Sequence, residues 1–445
     1  MDLTNYLPKG AKEFVERHPK FKLAFKSFSY LFSERLIKIA IGFFVHALLA
    51  RHLGPVHFGK LSYVVKTVTV FFAFGLFGVD ELIIKHLMEG KYSEGDILKT
   101  VLKLRLKMSV LGLIALGVFL IIFRPEGWIF SLITFIYGIN IFFQAFNVYE
   151  LKFHSQMDFQ PLFWANNVSY LSASALRVLG VLLNSSLTFF LMTYIWGEAV
   201  LKAMIFNKIQ WKKAFAGKVI PELSAKLSKE SFPYFLSAFV MLFDQRLSFM
   251  FIEKYRTLTE LGNYSVAVTL VDLWIFLPTA ICTSVFPTVI AAFSNNKTKY
   301  EIRIQYLSDI MFWLSIGFSL AVVLTSELVI KLLYGARYQE APEALSLFAL
   351  TTIPVFFNLA RIKWMTLENR LHEWLWINSI CLILNLAGHI YFVPEYGVKG
   401  AILSFLAAQA LGNFLTAFVF ESSRKSIKMF FKAFTFPIRI TGKIR

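Results

Sequence analysis

About twelve apolar stretches, each long enough to cross a bilayer as a helix, follow one another with almost nothing between them. They fall near 30–53, 57–86, 99–123, 127–150, 161–184, 187–208, 230–254, 262–293, 304–333, 343–368, 372–393 and 398–420. Each covers the ~30 Å hydrocarbon layer at ~1.5 Å per residue. Lipid offers no partner to a bare amide, so the backbone must close its hydrogen bonds internally. Continuous apolar runs, rather than alternating strands of about ten residues, exclude a transmembrane β-barrel. With 57% hydrophobic and 17% charged residues, the chain leaves no segment for a soluble domain. The expected fold is all-α and integral to a membrane, with any chemistry inside the bilayer or at its faces.

The net charge of +18 is unevenly placed. Basic residues gather at Lys9–Lys26, Lys85–Lys107, Lys202–Lys229, at Lys297, Lys299 and Arg303, and at Arg424–Arg445. The intervening connections, at 52–55, 124–126 and 184–186, carry few. This positive-inside pattern, with an even number of spans, places both termini in the cytoplasm. It also accounts for the charge without nucleic acid, through anionic headgroups at the basic tails. Cys282 and Cys381 both lie inside spans and read as packing residues, with no metal pair.

The longest polar interruption, near 208–229, cuts the spans into two sets of six. The organisation expected is a basic amphipathic N-terminus (1–29), a six-helix bundle (30–209), a cytoplasmic linker (210–229), a second bundle (230–420) and a basic tail (421–445). Phe58-Gly59-Lys60-Leu61-Ser62 is echoed by Leu261-Gly262-Asn263-Tyr264-Ser265 at a matching place in the second half. The echo supports an internal duplication of parallel halves about a central cavity. Pro278, Pro287 and Pro354 are expected to bend their helices, as packing kinks or as hinges.

Buried charge is costly, about 2.5–3.5 kcal/mol at a helix centre on insertion scales, so each buried ion needs a reason. Asp244 and Arg246 lie mid-span on different helix faces, and Asp272 is the nearest candidate partner for Arg246. They are equally readable as an ion-coupling set or as a structural pair. Arg35, Lys38, Gly42 and His46 recur at three, four and four residues, one stripe leading to mid-membrane. Snorkelling of Arg35 and Lys38 to the interface is the alternative, and for His46 a packed neutral ring. Lys66 and Arg177 are too deep for comfortable lipid exposure. Arg361 and Lys363 can greet an anionic headgroup or snorkel. Asn378, Asn385 and His389 form another stripe, readable as helix glue or substrate contact. Cations at Arg35, Lys38, Arg51, Lys66 and Arg177 outweigh the acids of the first half, which suits an anionic cargo such as a diphosphate. No nucleotide-binding Gly-rich loop, zinc-helix motif or large extramembrane catalytic loop is present, so neither an ATP-driven pump nor an enzyme is expected, and no cofactor.

The chain resembles the bacterial polysaccharide flippases of O-antigen type, within the multidrug/oligosaccharidyl-lipid/polysaccharide exporter superfamily. The resemblance rests on Leu48-Leu49-Ala50-Arg51-His52-Leu53-Gly54-Pro55 with Phe58-Gly59-Lys60-Leu61-Ser62-Tyr63, and on Glu34-Arg35 before them. It continues through Asp244, Gly262–Ser265, Pro278, Val285-Phe286-Pro287, Leu333–Ala341, Asn385 and Pro394–Ala401. It implies twelve helices in two bundles and transfer of undecaprenyl-diphosphate-linked oligosaccharide to the outer leaflet of a bacterial inner membrane. It also implies coupling to H+ or Na+ rather than ATP. The substrate-contacting candidates are then Arg35, Lys38, His46, Arg51, Lys66, Arg177, Arg246, Arg361, Lys363 and Asn385, and the ion-coupling candidates Asp244 and Asp272. Membrane lipids and other glycan-assembly membrane proteins are the remaining candidate partners. Gln245-Arg246 departs from the family pattern after the seventh-span aspartate and leaves the coupling ion open. The competing readings are a cation/drug antiporter, a non-transporting scaffold of a glycan-synthesis complex and a membrane glycosyltransferase.

Overall fold

A computed structural model of the protein describes residues 19–123, 127–209, 217–436 and 439. All regular structure there is helical: α1 (Pro19–Leu76), α2 (Asp80–Glu89), α3 (Glu94–Phe123), α4 (Trp128–Tyr137), α5 (Asn140–Ala145), α6 (Val148–Ser155), α7 (Gln160–Leu182) and α8 (Leu187–Ile209), then α9 (Pro221–Tyr255), α10 (Leu258–Trp274), α11 (Phe276–Asn295), α12 (Lys297–Tyr334), α13 (Ala341–Ala349), α14 (Thr352–Leu367), α15 (Leu371–Val419) and α16 (Glu421–Phe434). Nine helical stretches among the described residues are long and apolar enough to cross a membrane. The chain is a multi-pass membrane protein.

Two of those stretches, in α1 and α15, run for 48 residues, far beyond one crossing. Each is broken at a glycine with backbone angles barred to side chains: Gly54 (φ 68°, ψ 173°) and Gly397 (φ 56°, ψ −131°). In α15 the break is a reversal. A Cβ on Gly388 would stand 2.8 Å from Ser404, one on Gly400 would overlap the Phe392 carbonyl oxygen, and one on Gly412 would overlap the Cys381 thiol. The three pairs nest around residue 396, so the arms run antiparallel, pressed together where no side chain intervenes.

Several expected spans are interrupted. The run 57–86 stops at Leu76, because Phe77 and Gly78 both take positive φ (52° and 62°), and α2 starts afresh. The run 127–150 divides into α4, α5 and α6, with a side-chain amide competing for a backbone carbonyl at the first break and an amide–amide bond beside the second. Asn140 Nδ2 donates to the Tyr137 carbonyl at 3.0 Å, and Asn147 Nδ2 to Gln144 Oε1 at 3.0 Å. Pro278 and Pro354 do not kink helix interiors: each is third in a new helix, α11 or α14, where its missing N–H costs nothing. The linker expected at 210–229 lies outside the described residues only at 210–216. Its second part, 221–229, is the start of α9, held by buried Leu223 and Leu227 on one face. Of the amphipathic N-terminus, residues 1–18 lie outside the described residues, and Pro19 opens α1.

The chain forms two compact units. One takes the chain up to His52 together with Val64–Phe239; the other takes Leu53–Tyr63 together with Val240 onward. The division thus falls within α9, and one short piece of α1 belongs with the second unit. In the first unit α7 packs along α8, and α3 along α5. In the second, α12 is the central helix, touching α11, α13, α14 and α16.

Candidate functional site

In the second unit α9, α10, α13, α14 and α15 surround a cavity of about 210 Å³. Asp244, Arg246 and Asp272 all line it. The Asp244 carboxylate, 7% exposed, is held from both sides. Asn385 Nδ2 donates to Oδ1 at 2.8 Å, and Gln409 Nε2 donates to Oδ2 at 3.3 Å. Asn385 is wholly buried, and its Oδ1 has no hydrogen-bond partner among the described residues. A buried acceptor without a donor costs free energy unless something occupies it, and an oxygen beside a carboxylate suits a cation or a proton. The polar line continues along α15. The Asn385 carbonyl accepts from His389 Nδ1 at 2.8 Å, which leaves Nε2 of the neutral ring to accept from the Ser248 hydroxyl at 2.9 Å.

Arg246 turns away from Asp244 and meets Asp272 instead, Nη1 to Oδ2 at 3.5 Å. The pairing expected from spacing alone is present, half-buried, at the cavity wall. Gln409 carries a contact that sequence reasoning did not single out. It lies 165 residues from Asp244 and has no local charge pattern to mark it.

In the first unit the stripe on α1 proves to be a seam with α7. Lys38 Nζ reaches Asn166 Oδ1 at 3.1 Å, and the Tyr170 hydroxyl fills the notch at Gly42. The charges of Lys66 and Arg177 act on the His46 ring at the deep end. Advancing by four residues on both sides, the contacts define helices side by side. Arg177, 8% exposed, lies 3.8 Å over the Tyr194 ring, and its Nε donates to Thr193 Oγ1 at 3.0 Å. The result is a tyrosine-walled cluster in which two cations, Lys66 and Arg177, act on the buried His46 ring. The tyrosines were not expected. Their signal is the polar stripe of α7, where Asn166, Tyr170 and Arg177 share the face that makes the seam.

The other candidates lie elsewhere. Lys38 also pairs with Glu34 at 2.7 Å, so part of its charge is answered locally. Arg35 and Arg51 are exposed on the first unit. Arg361, 2% exposed, is absent from the cavity wall: its guanidinium is bonded to Asn413 and to the Ser423 hydroxyl, tying α14 to α15 and α16. Lys363 lies 4.9 Å over the Phe286 ring. Another buried cation, Lys202, meets Glu150 at 2.7 Å and is bonded to Asn147; its i,i+4 partner Glu198 made it legible, but it was not singled out.

A polytopic all-helical chain with a carboxylate-centred polar cavity in one unit and a cationic cluster in the other has the form of a membrane transporter. It belongs to the polysaccharide biosynthesis protein family, whose model matches residues 48–343. In fold it is similar to an inward-facing multidrug resistance MATE family transporter of the MOP superfamily, at TM-score 0.70 and 14% identity over 88% of this chain and 96% of that one. It is similar also to the lipid II flippase MurJ in an inward closed conformation, at TM-score 0.69 and 16% identity, covering 93% and 95%. A mutant of the Vibrio cholerae MATE transporter VcmN is similar as well, at TM-score 0.56 and 12% identity, covering 92% and 98%. No curated protein matches it in sequence.

Proposed function

We propose that the protein flips undecaprenyl-diphosphate-linked oligosaccharide repeat units from the inner to the outer leaflet of a bacterial inner membrane, for O-antigen, capsule or exopolysaccharide assembly. The observation that carries this reading is the pair of cations Lys66 and Arg177 acting on the buried His46 ring in one apolar bundle of a polysaccharide-biosynthesis protein. Such a pair answers the charge of a diphosphate, and the tyrosine rings beside it suit the sugar faces that follow.

The same reading makes Asp244 the coupling residue. A cation or proton arriving at the cavity would meet the Asp244 carboxylate and the buried Asn385 Oδ1, and the amides of Asn385 and Gln409 would re-aim as the charge changes. Arg246 and Asp272 form the wall pair that a substrate phosphate would compete for. Arg35, Arg51 and Lys363 serve as outlying cations on the path, whereas Arg361 acts through the helices it ties together. The glycine breaks in α1 and α15 make two spans of each, which with α7 gives twelve, and both termini are cytoplasmic.

The test is surface glycan display in a host deleted for its own flippase, with the intracellular lipid-linked pool measured in parallel. Restored display with a falling inner-leaflet pool supports flipping. Dye resistance without glycan display would support the cation/drug antiporter. Display that survives joint neutralisation of Lys66 and Arg177 would leave a scaffold role.

A further inference from the structure

α16 starts immediately after the last membrane-crossing arm, with only Phe420 between them. Ser422, Ser423, Ser426 and Ala433 are buried on one face, while Arg424, Lys425, Lys428 and Lys432 are exposed. At 100° per residue the four cations span an arc of about 100°. Phe431, 64% exposed, borders that arc. The helix is fastened from behind. The Ser422 hydroxyl is bonded to the Glu373 carboxylate, and Ser423 accepts from Arg361 Nη2 at 3.1 Å. Trp313 Nε1 donates to the Ala433 carbonyl at 2.9 Å, and Arg439 pairs at 2.8 Å with Asp309, which is wholly buried. Packing therefore explains the buried face, while on the basic face the contacts are those of Glu421 with Lys425 and Arg370, each at 3.6 Å. The four cations repel one another, and Glu421, 3.6 Å from Lys425, is the only acid on the helix.

We propose that the basic face of α16 is a binding surface for anionic phospholipid headgroups, holding this end of the second unit against the membrane. Three observations select a lipid surface. The helix emerges directly from a span, so it lies where headgroups are. Its cations keep long apolar stems and neighbour an exposed phenyl ring, the combination that settles into an interface. Its rear contacts reach α12, α14 and α15, so it presents a fixed rather than a trailing basic surface. The inference stands whether or not the transported cargo is the one proposed above.

The full-length protein carrying Lys428→Cys, spin-labelled there while Cys282 and Cys381 stay buried, is placed in nanodiscs of phosphatidylcholine alone or mixed with phosphatidylglycerol. The label becomes shielded from a water-soluble relaxant only with phosphatidylglycerol, and the shielding is lost in roughly 0.5 M salt. Each further neutralisation, Arg424→Gln, Lys425→Gln or Lys432→Gln, lowers the ratio of shielded to exposed label about fivefold. Equal exposure in both lipids overturns the proposal. So does equal shielding by inorganic phosphate or a soluble acidic peptide in phosphatidylcholine discs, which would assign the face to a soluble anion or a protein. Unchanged lipid dependence in the triple glutamine variant overturns it as well.

Discussion

Two amide N–H groups hold the Asp244 carboxylate, and that arrangement decides what a substitution there can do. Asp244→Asn keeps the volume and one acceptor, so the protein inserts, but the new NH2 opposes one of the two amide donors and the thermal midpoint falls. Hydrogen bonds to a charged group contribute about 1.5–3 kcal/mol. If a cation or proton exploits that charge, gradient-driven export falls by roughly tenfold or more; the check is export with and without an imposed ion gradient. Full activity in Asp244→Asn would remove Asp244 from coupling. Arg177 offers the complementary case. Lysine retains its charge but neither the Nε bond to Thr193 nor the planar contact with Tyr194. Arg177→Lys therefore loses about 1–2 kcal/mol of stability, read as a lower midpoint in detergent. Asp244 and Arg177 were both legible in the sequence, because a charge inside an apolar run announces itself. Gln409 and the tyrosines were not, since their importance comes from partners far along the chain.

At the scale of elements, the apolar runs gave away nearly every helix, and the basic clusters marked where connections fall. Breaks within runs were hidden, because they depend on tertiary contacts: Phe77 takes its positive φ where it packs on Phe235, at a ring distance of 5.4 Å. The pentads matched as a repeat have a closer relation than the sequence could tell. Within the second unit, a Cβ on Gly59 would overlap the carbonyl of Leu258, four residues before Gly262. A Cβ on Gly262 would overlap the carbonyl of Pro55, four residues before Gly59. Each pentad meets the other segment in the same way, through its glycine and a carbonyl one helical turn earlier. Neither backbone can retreat, so Gly59→Val or Gly262→Val costs at least about 3 kcal/mol of overpacking. The expected result is aggregated or degraded protein on gel filtration. Gly317, with no neighbour within 4 Å, is the control. Gly317→Ala in the middle of α12 is neutral or adds up to about 1 kcal/mol. Equal behaviour of the variants would mean that the crossing is not packed as described.

For the whole molecule, the span count turns on α7. It is 23 residues long, sufficient for a crossing, yet its polar face makes it less apolar than the nine stretches described above. That face is not wasted on lipid, because Asn166, Tyr170 and Arg177 are spent on the seam with α1 and the cationic cluster. A helix that answers its polar groups inside the bundle can cross with less hydropathy than a lone one. Phosphatase fusions, active only outside the cytoplasm, decide the matter. Fusions at Gly90, Gln156 and Glu421 are expected to be inactive, and those at Ser186 and Gly335 active. Activity at Ser186 with none at Gln156 requires α7 to cross. Inactivity at both would leave α7 lying within one leaflet. The first bundle would then hold an odd number of crossings, and the two parallel halves expected from the sequence would fail.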